Sequence, residues 1–408
     1  MIRRVAYLSM HTSPLLQPGV GDAGGMNVYL DELAHTMVER SVEVEVFTRR
    51  VDPGLPEVVE VVPGYRVHHV DAGPPETVAV RSLARYVREF ADRCGDVLEE
   101  IPPDILHSHY WLSGWAGLVL KRRLGIPLAN SFHTLGRVKD ATRRKDEPPS
   151  PLLRIAAEHE VIEGSDCVVA STPLEAEDLM AHYGADPARL CTSPPGVDHD
   201  RFGPGDRDEA RVRLGWDAGP TVLFVGRIQA LKGADVALET LGMLRGRVPE
   251  ARMVMVGGAS GPDGTAEVER LRRRAAAADV AGAVEFVDPV PHDVLVDYYR
   301  GADALVLPSR SESFGLVAAE AQASGLPVVA ARVGGLVHVV DDGATGVLVD
   351  GWDPVGYAAA LEKVLTDPGL AASMSAAAVV WSERFSWEAT ANRLLELYDG
   401  VVRRVGGG

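Results

Sequence analysis

Ser311-Glu312-Ser313-Phe314-Gly315 is followed, eight residues after Glu312, by Glu320, within the run SESFGLVAAEAQASGLPVVAARVGG. A helix starting near Gly315 puts Glu312 on the loop before its N-terminus and Glu320 on its second turn, about 8–9 Å further along the axis. Both carboxylates should then face one cleft. Carboxylates accept hydrogen bonds from hydroxyls, and the free N–H groups of a helix start favour an anion, so sugar hydroxyls and a phosphate could be read together. The competing reading makes Glu312 a simple helix cap and Glu320 an exposed surface acid.

Gly226-Arg227-Ile228-Gln229-Ala230-Leu231-Lys232-Gly233 opens a βα junction. Arg227 and Lys232 straddle a turn at the C-terminal end of a strand, where open α/β sheets bind ligands, and a planar fork with a mobile ammonium suits a diphosphate. Gly19-Val20-Gly21-Asp22-Ala23-Gly24 spells GxGxxG. Roughly eight residues separate it from the preceding strand, and the second strand ends in Phe47-Thr48-Arg49-Arg50 with no acid for a ribose, so a nicotinamide-dependent dehydrogenase is the minor reading. A long glycine-rich loop feeding a helix at Asn27 fits better, with backbone free to approach an anion. His107 and His109 share one side of a strand, and His133 closes the next. No Cys or acid at suitable spacing completes a metal shell, so these are hydrogen-bonding cleft groups or core histidines. Residues 137–154 carry six cations against three acids, and Arg154 is the best placed to clamp an anion.

These groups need a scaffold. The 408 residues suffice for two domains and a cleft, and short β-branched runs alternate with amphipathic segments throughout, the mark of parallel sheets covered by helices. Strands are predicted at 4–10, 42–48, 66–70, 104–107, 127–131 and 166–170, then at 221–226, 252–257, 284–287, 303–308, 327–330 and 346–349. Helices are predicted at 27–40, 78–99, 113–124, 151–163 and 173–183. The Pro-, Gly- and charge-rich stretch 194–220 reads as the domain connection. A net charge of −17 disfavours nucleic acid and anionic membranes, so an anionic ligand needs a local basic site. Cys94, Cys167 and Cys191 form no CxxC, and a reducing, cytoplasmic setting with no disulfide framework is expected. No apolar run approaches a membrane span.

Over nearly its full length the chain resembles retaining GT-B glycosyltransferases of the glycogen-synthase-like class. SMHTSPLLQPGVGDAGGMNVY, ILHSHYWLSG at 105–114, HTLGRVK at 133–139 and the Glu312 run are more narrowly similar to the D-inositol 3-phosphate glycosyltransferase family of actinobacterial mycothiol synthesis. The resemblance implies an α/β GT-B fold of two Rossmann-like doubly wound domains facing across a cleft. Residues 1–200 would bind the acceptor, residues 201–385 the nucleotide sugar, and a C-terminal helix at 386–408 could pack back on the first domain. It implies transfer of N-acetylglucosamine from UDP-GlcNAc to 1D-myo-inositol 3-phosphate. The alternatives are another cyclitol or sugar-phosphate acceptor, or a silent sugar-nucleotide-binding protein.

By the same resemblance Arg227, Lys232, Glu312 and His133 are the catalytic set. His11, Gln17, Pro18, Gly25, Val290 and Glu320 join Arg227, Lys232 and Glu312 on the donor. Asp22, Ala23, Gly24, Gly25, Met26, Asn27, Tyr110, Thr134 and Arg154 form the acceptor pocket. A magnesium ion, not obligatory for the chemistry, would sit at backbone around Tyr299, Arg300 and Ala302. The partners are small substrates, and a homodimer is left open. One departure stands out: the family's acceptor-phosphate lysine belongs after Ala72-Gly73-Pro74, near Val80, where this chain has none, and Arg81 or Arg85 is expected to replace it.

Overall fold

The computed structural model describes residues 1–145, 147–260, 264–277 and 280–406. Two sheets form the frame. The first contains β1 (Arg4–Leu8), β2 (Glu43–Arg49), β3 (Val58–Val62), β4 (Tyr65–Val70), β5 (Ile105–His109), β6 (Leu128–Ser131), β7 (Cys167–Ala170) and β8 (Leu190–Thr192), in the order β3-β4-β2-β1-β5-β6-β7-β8. Every pairing is parallel except β3 with β4. The second contains β9 (Thr221–Val225), β10 (Arg252–Val256), β11 (Val284–Val287), β12 (Ala304–Leu307), β13 (Val328–Ala331) and β14 (Gly346–Val349), all parallel, in the order β11-β10-β9-β12-β13-β14. Both are doubly wound α/β sheets, as expected.

The central strands are apolar on both faces because helices cover both. Alternate β1 residues go to opposite cores: Ala6 and Leu8 join Leu106, Leu128 and Val168, whereas Val5 and Tyr7 join Ile105, Ala129 and Val169. The second sheet divides in the same way, with Leu223 and Leu305 on one side and Val222 and Phe224 on the other.

The first four strands of the second sheet reverse direction of winding between β9 and β12, and the first sheet does so between β1 and β5. Ligands of doubly wound sheets bind at such switch points, beyond the carboxyl ends of the strands. The loops there carry most of the residues singled out by sequence.

Some expectations shift. The helix predicted over 78–99 is a 3-10 segment, Val80–Tyr86, followed by an α-helix, Val87–Glu100. The junction falls where Tyr86 packs so tightly on Gly73, φ +72, that a Cβ there would lie 2.6 Å from its ring. The helix predicted from 113 starts directly after β5, at Tyr110. Strand β3 is an exposed antiparallel edge and β8 has three residues, so neither carries the buried apolar run that marked the others. The helix Trp387–Gly406 buries Trp387, Ala391, Leu394, Tyr398 and Val401 against Ile2, Val5, Tyr29 and Leu33 of the first domain. The Tyr398 hydroxyl also meets His107 Nδ1 at 2.5 Å.

Candidate active site

A cavity of about 430 Å³ lies between the two sheets' switch points. It is lined by His11, Pro18, Asp22, Gly24, Gly25, Met26, Tyr110, His133, Thr134 and Arg154 from the first domain, and by Arg227, Lys232, Val290, Glu312 and Glu320 from the second.

On the second-domain wall the turn after β9 is tight. Gly233 has φ +68, and a Cβ there would lie 2.0 Å from the Pro308 carbonyl oxygen, so only glycine lets the Arg227–Lys232 turn sit against the loop after β12. That contact brings Lys232 Nζ to Glu312 Oε1 at 2.6 Å, and Ser309 Oγ donates to the same oxygen at 3.0 Å. Glu312 thus holds a cation and is no helix cap. Among the described residues Arg227 Nη1 donates to neutral groups, the Asp22 carbonyl oxygen at 3.4 Å and Ser260 Oγ at 3.3 Å. Glu320 is buried, not a surface acid, and accepts from the Tyr299 hydroxyl at 2.8 Å. Burial raises its carboxyl to about 7, with the Tyr299 hydrogen bond opposing.

On the first-domain wall the glycine loop is pinned by Asn27. Its Oδ1 accepts from Gly24 N at 2.9 Å, and its Nδ2 donates to Thr12 Oγ1 at 2.7 Å and to Ser13 O at 2.5 Å. With its polar atoms spent on the loop, Asn27 is buried behind the cavity rather than lining it. Ala23 is likewise internal to the turn, its N–H donating to Val20 O at 3.0 Å. Gln17 also stands outside the lining, its Nε2 donating across the cleft to Pro289 O at 3.1 Å, beside Val290. Gly24 and Gly25 run so near the opposite wall that Cβ atoms would lie 3.3 Å from Arg227 Nε and from Leu316 Cδ1.

Tyr110 and His133 both hold positive φ, 76° and 58°, at the carboxyl ends of β5 and β6. Non-glycine residues adopt that region at a cost, and such strain collects where side chains must be aimed. Ser313 Oγ donates to the His133 carbonyl across the cleft. Burial lowers His133 to about 4, and burial followed by His133 lowers His11 to about 3, so both are neutral near pH 7. His11 Nδ1 is buried with no partner among the described residues, and so is Gln229 Nε2 on the opposite wall. Orphaned polar atoms at a cavity wall call for a ligand's hydroxyls or phosphate.

The acceptor end differs from expectation. Arg81 and Arg85 are exposed and line no part of the cavity, and Arg85 Nε is turned back to Ser82 O at 2.9 Å. The cation that does line it is Lys139, together with Arg154. Arg154 is tied by Nε to Glu158 Oε1 at 2.7 Å and by Nη2 to Thr134 O at 2.9 Å, and it lies over the Tyr110 ring. Glu158 also takes Gly136 N and the Tyr183 hydroxyl. No hydrogen bond or ion pair reaches the Lys139 ammonium among the described residues. Burial and then the Arg154 charge press its pKa down, a state that a phosphate would relieve. Sequence reasoning passed over Lys139 although it closes HTLGRVK and lies in the basic stretch. Ser313 and Gln229 lie inside the two motifs that carry Glu312 and Arg227, but sequence reasoning assigned them no role of their own.

His107 is a core histidine, bonded to Tyr398 and to Ser131 Oγ at 3.0 Å, and His109 Nδ1 meets His133 Nε2 at 2.9 Å. Among the described residues no group of three or more His, Cys, Asp or Glu could hold a metal ion. Tyr299, Arg300 and Ala302 stand at the C-terminal end of the helix His292–Gly301. Their side chains are apolar or engaged elsewhere, Arg300 with Gly203 O at 2.9 Å, so they offer a hard cation only carbonyl oxygens, a donor type that suits magnesium. Arg49 donates to Pro74 O and Glu76 O at 2.7 and 2.5 Å, which occupies the guanidinium that an NADP reading would need.

Residues 24–196 match the glycosyl transferase 4-like domain and residues 206–381 match glycosyl transferases group 1. The chain is 48% identical over 408 residues to D-inositol 3-phosphate glycosyltransferase 2 of Catenulispora acidiphila, covering 98% of this chain and 95% of that one. The chain belongs to the D-inositol 3-phosphate glycosyltransferase family. A Streptomyces scabiei protein of that family is 46% identical over 409 residues, covering 98% of this chain and 92% of its own. Sucrose-phosphate synthase of Thermosynechococcus elongatus superposes with a TM-score of 0.92 at 30% identity, covering 98% of this chain and 99% of that one. WaaG, a glycosyltransferase of lipopolysaccharide biosynthesis, superposes at 0.71 with 19% identity over 99% of this chain and 100% of its own, a likeness of fold. The enzyme is a GT-B glycosyltransferase, and no single described helix is long and apolar enough to cross a membrane.

Proposed function

We propose that the enzyme transfers N-acetylglucosamine, with retention, from UDP-GlcNAc to 1D-myo-inositol 3-phosphate, the step that opens mycothiol synthesis. The observation that carries this is the presence of two cationic ends in one cavity: Arg227 with Lys232, and Lys139 with Arg154. A sugar nucleotide brings a diphosphate to the first, and a phosphorylated acceptor brings a monophosphate to the second. Their names match: relatives nearly half identical over the full chain are D-inositol 3-phosphate glycosyltransferases.

In this mechanism Arg227 and Lys232 hold the diphosphate and stabilise the charge that grows on it as the glycosidic bond breaks. Glu312 fixes Lys232 and offers its remaining oxygen to sugar hydroxyls. It is already bound to Lys232 and Ser309, so it is poorly placed as a covalent nucleophile. Glu320 receives the ribose and Val290 borders the uracil. The acceptor hydroxyl attacks from the face that the diphosphate leaves, and the departing phosphate oxygen takes its proton. Neutral His133, with Nε2 held by His109, and neutral His11 meet hydroxyls without adding charge. Closure of the two walls, latched by Gln17 to Pro289 and Ser313 to His133, excludes water. A magnesium ion, if present, would lie on the main-chain oxygens of Tyr299, Arg300 and Ala302 and steady that helix end.

The deciding experiment is UDP release from UDP-GlcNAc with inositol 3-phosphate, unphosphorylated inositol and glucose 6-phosphate as acceptors. Turnover with inositol 3-phosphate at least tenfold above the others is expected. Equal turnover with unphosphorylated inositol would overturn the phosphate end of the proposal.

A further inference from the structure

Cys167 and Cys191 sit on neighbouring parallel strands at the edge of the first sheet, β7 and β8, where Val169 pairs with Cys191. Cys167 Sγ donates to Cys191 Sγ at 2.6 Å. Both thiols are free, and both point to the face covered by the helix Trp387–Gly406. Cys167 is buried, whereas Cys191 is part-exposed. The strand leads on at once to Pro194-Pro195-Gly196, the passage into the second domain. There Pro195 lines the cavity, Thr390 Oγ1 donates to Pro194 O at 2.8 Å, and a Cβ on Gly196 would lie 2.2 Å from Trp387 N. The interdomain passage is closely packed here, and Cys191 lies five residues before Gly196.

We propose that Cys167 and Cys191 are a modification site: an intrachain dithiol that hydrogen peroxide closes to a disulfide, bracing β8 and the interdomain passage it feeds. The Cys191 thiolate attacks a peroxide oxygen, so an S–O bond forms, the O–O bond breaks and hydroxide leaves. Cys167 then attacks the sulfenic sulfur, its proton leaving with the oxygen as water while the S–S bond forms and the S–O bond breaks. Two thiols and one peroxide give one disulfide and two waters. The surroundings favour Cys191 as the attacking group. The hydrogen bond from Cys167, and then the guanidinium charges of Arg404 and Arg393, pull its thiol down to about 7 despite partial burial, while Cys167 is pushed up. Cys94, fully buried in the other core, lacks such company and is raised by burial.

Peptide mass spectrometry of the full chain after brief peroxide treatment tests this. A linked pair of peptides containing Cys167 and Cys191, lighter by two hydrogens and separated by dithiothreitol, is the expected result, with Cys94 still alkylatable. Cys191→Ser should abolish the link and leave Cys167 a thiol, and Cys167→Ala should leave Cys191 as a sulfenic acid that dimedone traps. A stable Cys191 sulfinic acid with Cys167 unmodified, or no reaction at Cys191, would overturn the site. Oxidised chain should turn over more slowly than the same chain after dithiothreitol, and equal rates with the link fully formed would overturn the bracing role.

Discussion

The two walls of the cavity each carry one arginine and one lysine, but they neutralise opposite members. On the donor wall the lysine, Lys232, is paired with Glu312 at 2.6 Å, while Arg227 has no ion pair among the described residues and donates to neutral atoms. On the acceptor wall the arginine, Arg154, is paired with buried Glu158 at 2.7 Å, while the Lys139 ammonium has no partner among the described residues. Among the described residues each wall therefore presents one ion-paired cation as scaffold and one without an ion pair as bait. The choice follows from chemistry. A fork that stays charged in any surroundings suits a diphosphate whose charge rises during reaction, and a single mobile ammonium suffices for a monophosphate that does not react. The compensated Arg154 instead aligns Tyr110 and Thr134.

The largest effect should come from the donor wall. Lys232→Ala removes a charge from the group that departs and strands Glu312, so turnover should fall roughly 100- to 1,000-fold, the cost of one well-placed transition-state donor. The donor KM should change far less. Steady-state kinetics separate the two, and a rise in donor KM with kcat intact would place Lys232 in ground-state binding and break the asymmetry.

Lys139→Ala probes the unpaired cation of the acceptor wall. Losing a charge-assisted contact of about 1.5–3 kcal/mol should lower kcat/KM for inositol 3-phosphate roughly 10- to 150-fold while leaving the donor KM in place. Arg85→Ala, whose guanidinium faces its own backbone, should be nearly silent. The reverse result would return the phosphate to the segment around Val80.

Asn27→Ala falls between the walls. It frees the Gly24 N–H, Thr12 and Ser13 from their shared partner, and an unsatisfied buried group costs roughly 1–3 kcal/mol. Because the glycine loop touches both substrates' space, donor and acceptor KM should rise together, alongside a lower Tm. A change confined to one substrate would show that the loop belongs to one wall.

The donor wall was legible in sequence because its groups lie in two short, rigid βα turns: Arg227 and Lys232 five apart, Glu312 and Glu320 eight apart. Local spacing settles geometry when a strand and a helix start fix both ends. Even so, sequence did not show that Glu312 spends one oxygen on Lys232, a contact between residues eighty apart made by the Gly233 to Pro308 approach. The acceptor wall draws on separate segments, the glycine loop and the helices that carry Tyr110, Lys139 and Arg154, so spacing says little. Arg81 and Arg85 had the right charge in the right stretch, but both are exposed on a 3-10 segment, and the cation that lines the cavity, Lys139, comes from a helix 58 residues beyond Arg81. The sheets themselves were readable from buried apolar strands; β3 and β8, at opposite edges, lack that signature.

The smallest effect distinguishes the walls by their buried acids. Glu320, on the donor wall, and Glu175, which accepts from Ser171 N behind the acceptor wall, are both raised from 4.5 to about 7, chiefly by burial. Between pH 4.5 and 7 these two carboxyls retain protons that the unfolded chain has released, while His11, His107 and His133, lowered to about 3 to 4 by burial, act in the opposite sense below about 6.5. Stability from the two carboxyls is complete below 4.5, falls as pH rises, and is gone above about 7, each group contributing a slope of at most about 1.4 kcal/mol per pH unit. Glu320→Gln keeps an acceptor for the Tyr299 hydroxyl and removes one share of that slope, as Glu175→Gln should remove the other. Urea midpoints measured from pH 4.5 to 7.5 read this directly. UDP should flatten Glu320's share of the wild-type slope if Glu320 meets the ribose as an ionised acceptor, and it should leave the slope of Glu320→Gln unchanged. A flattening by UDP that survives in Glu320→Gln would mean that the nucleotide is sensed on the acceptor side instead.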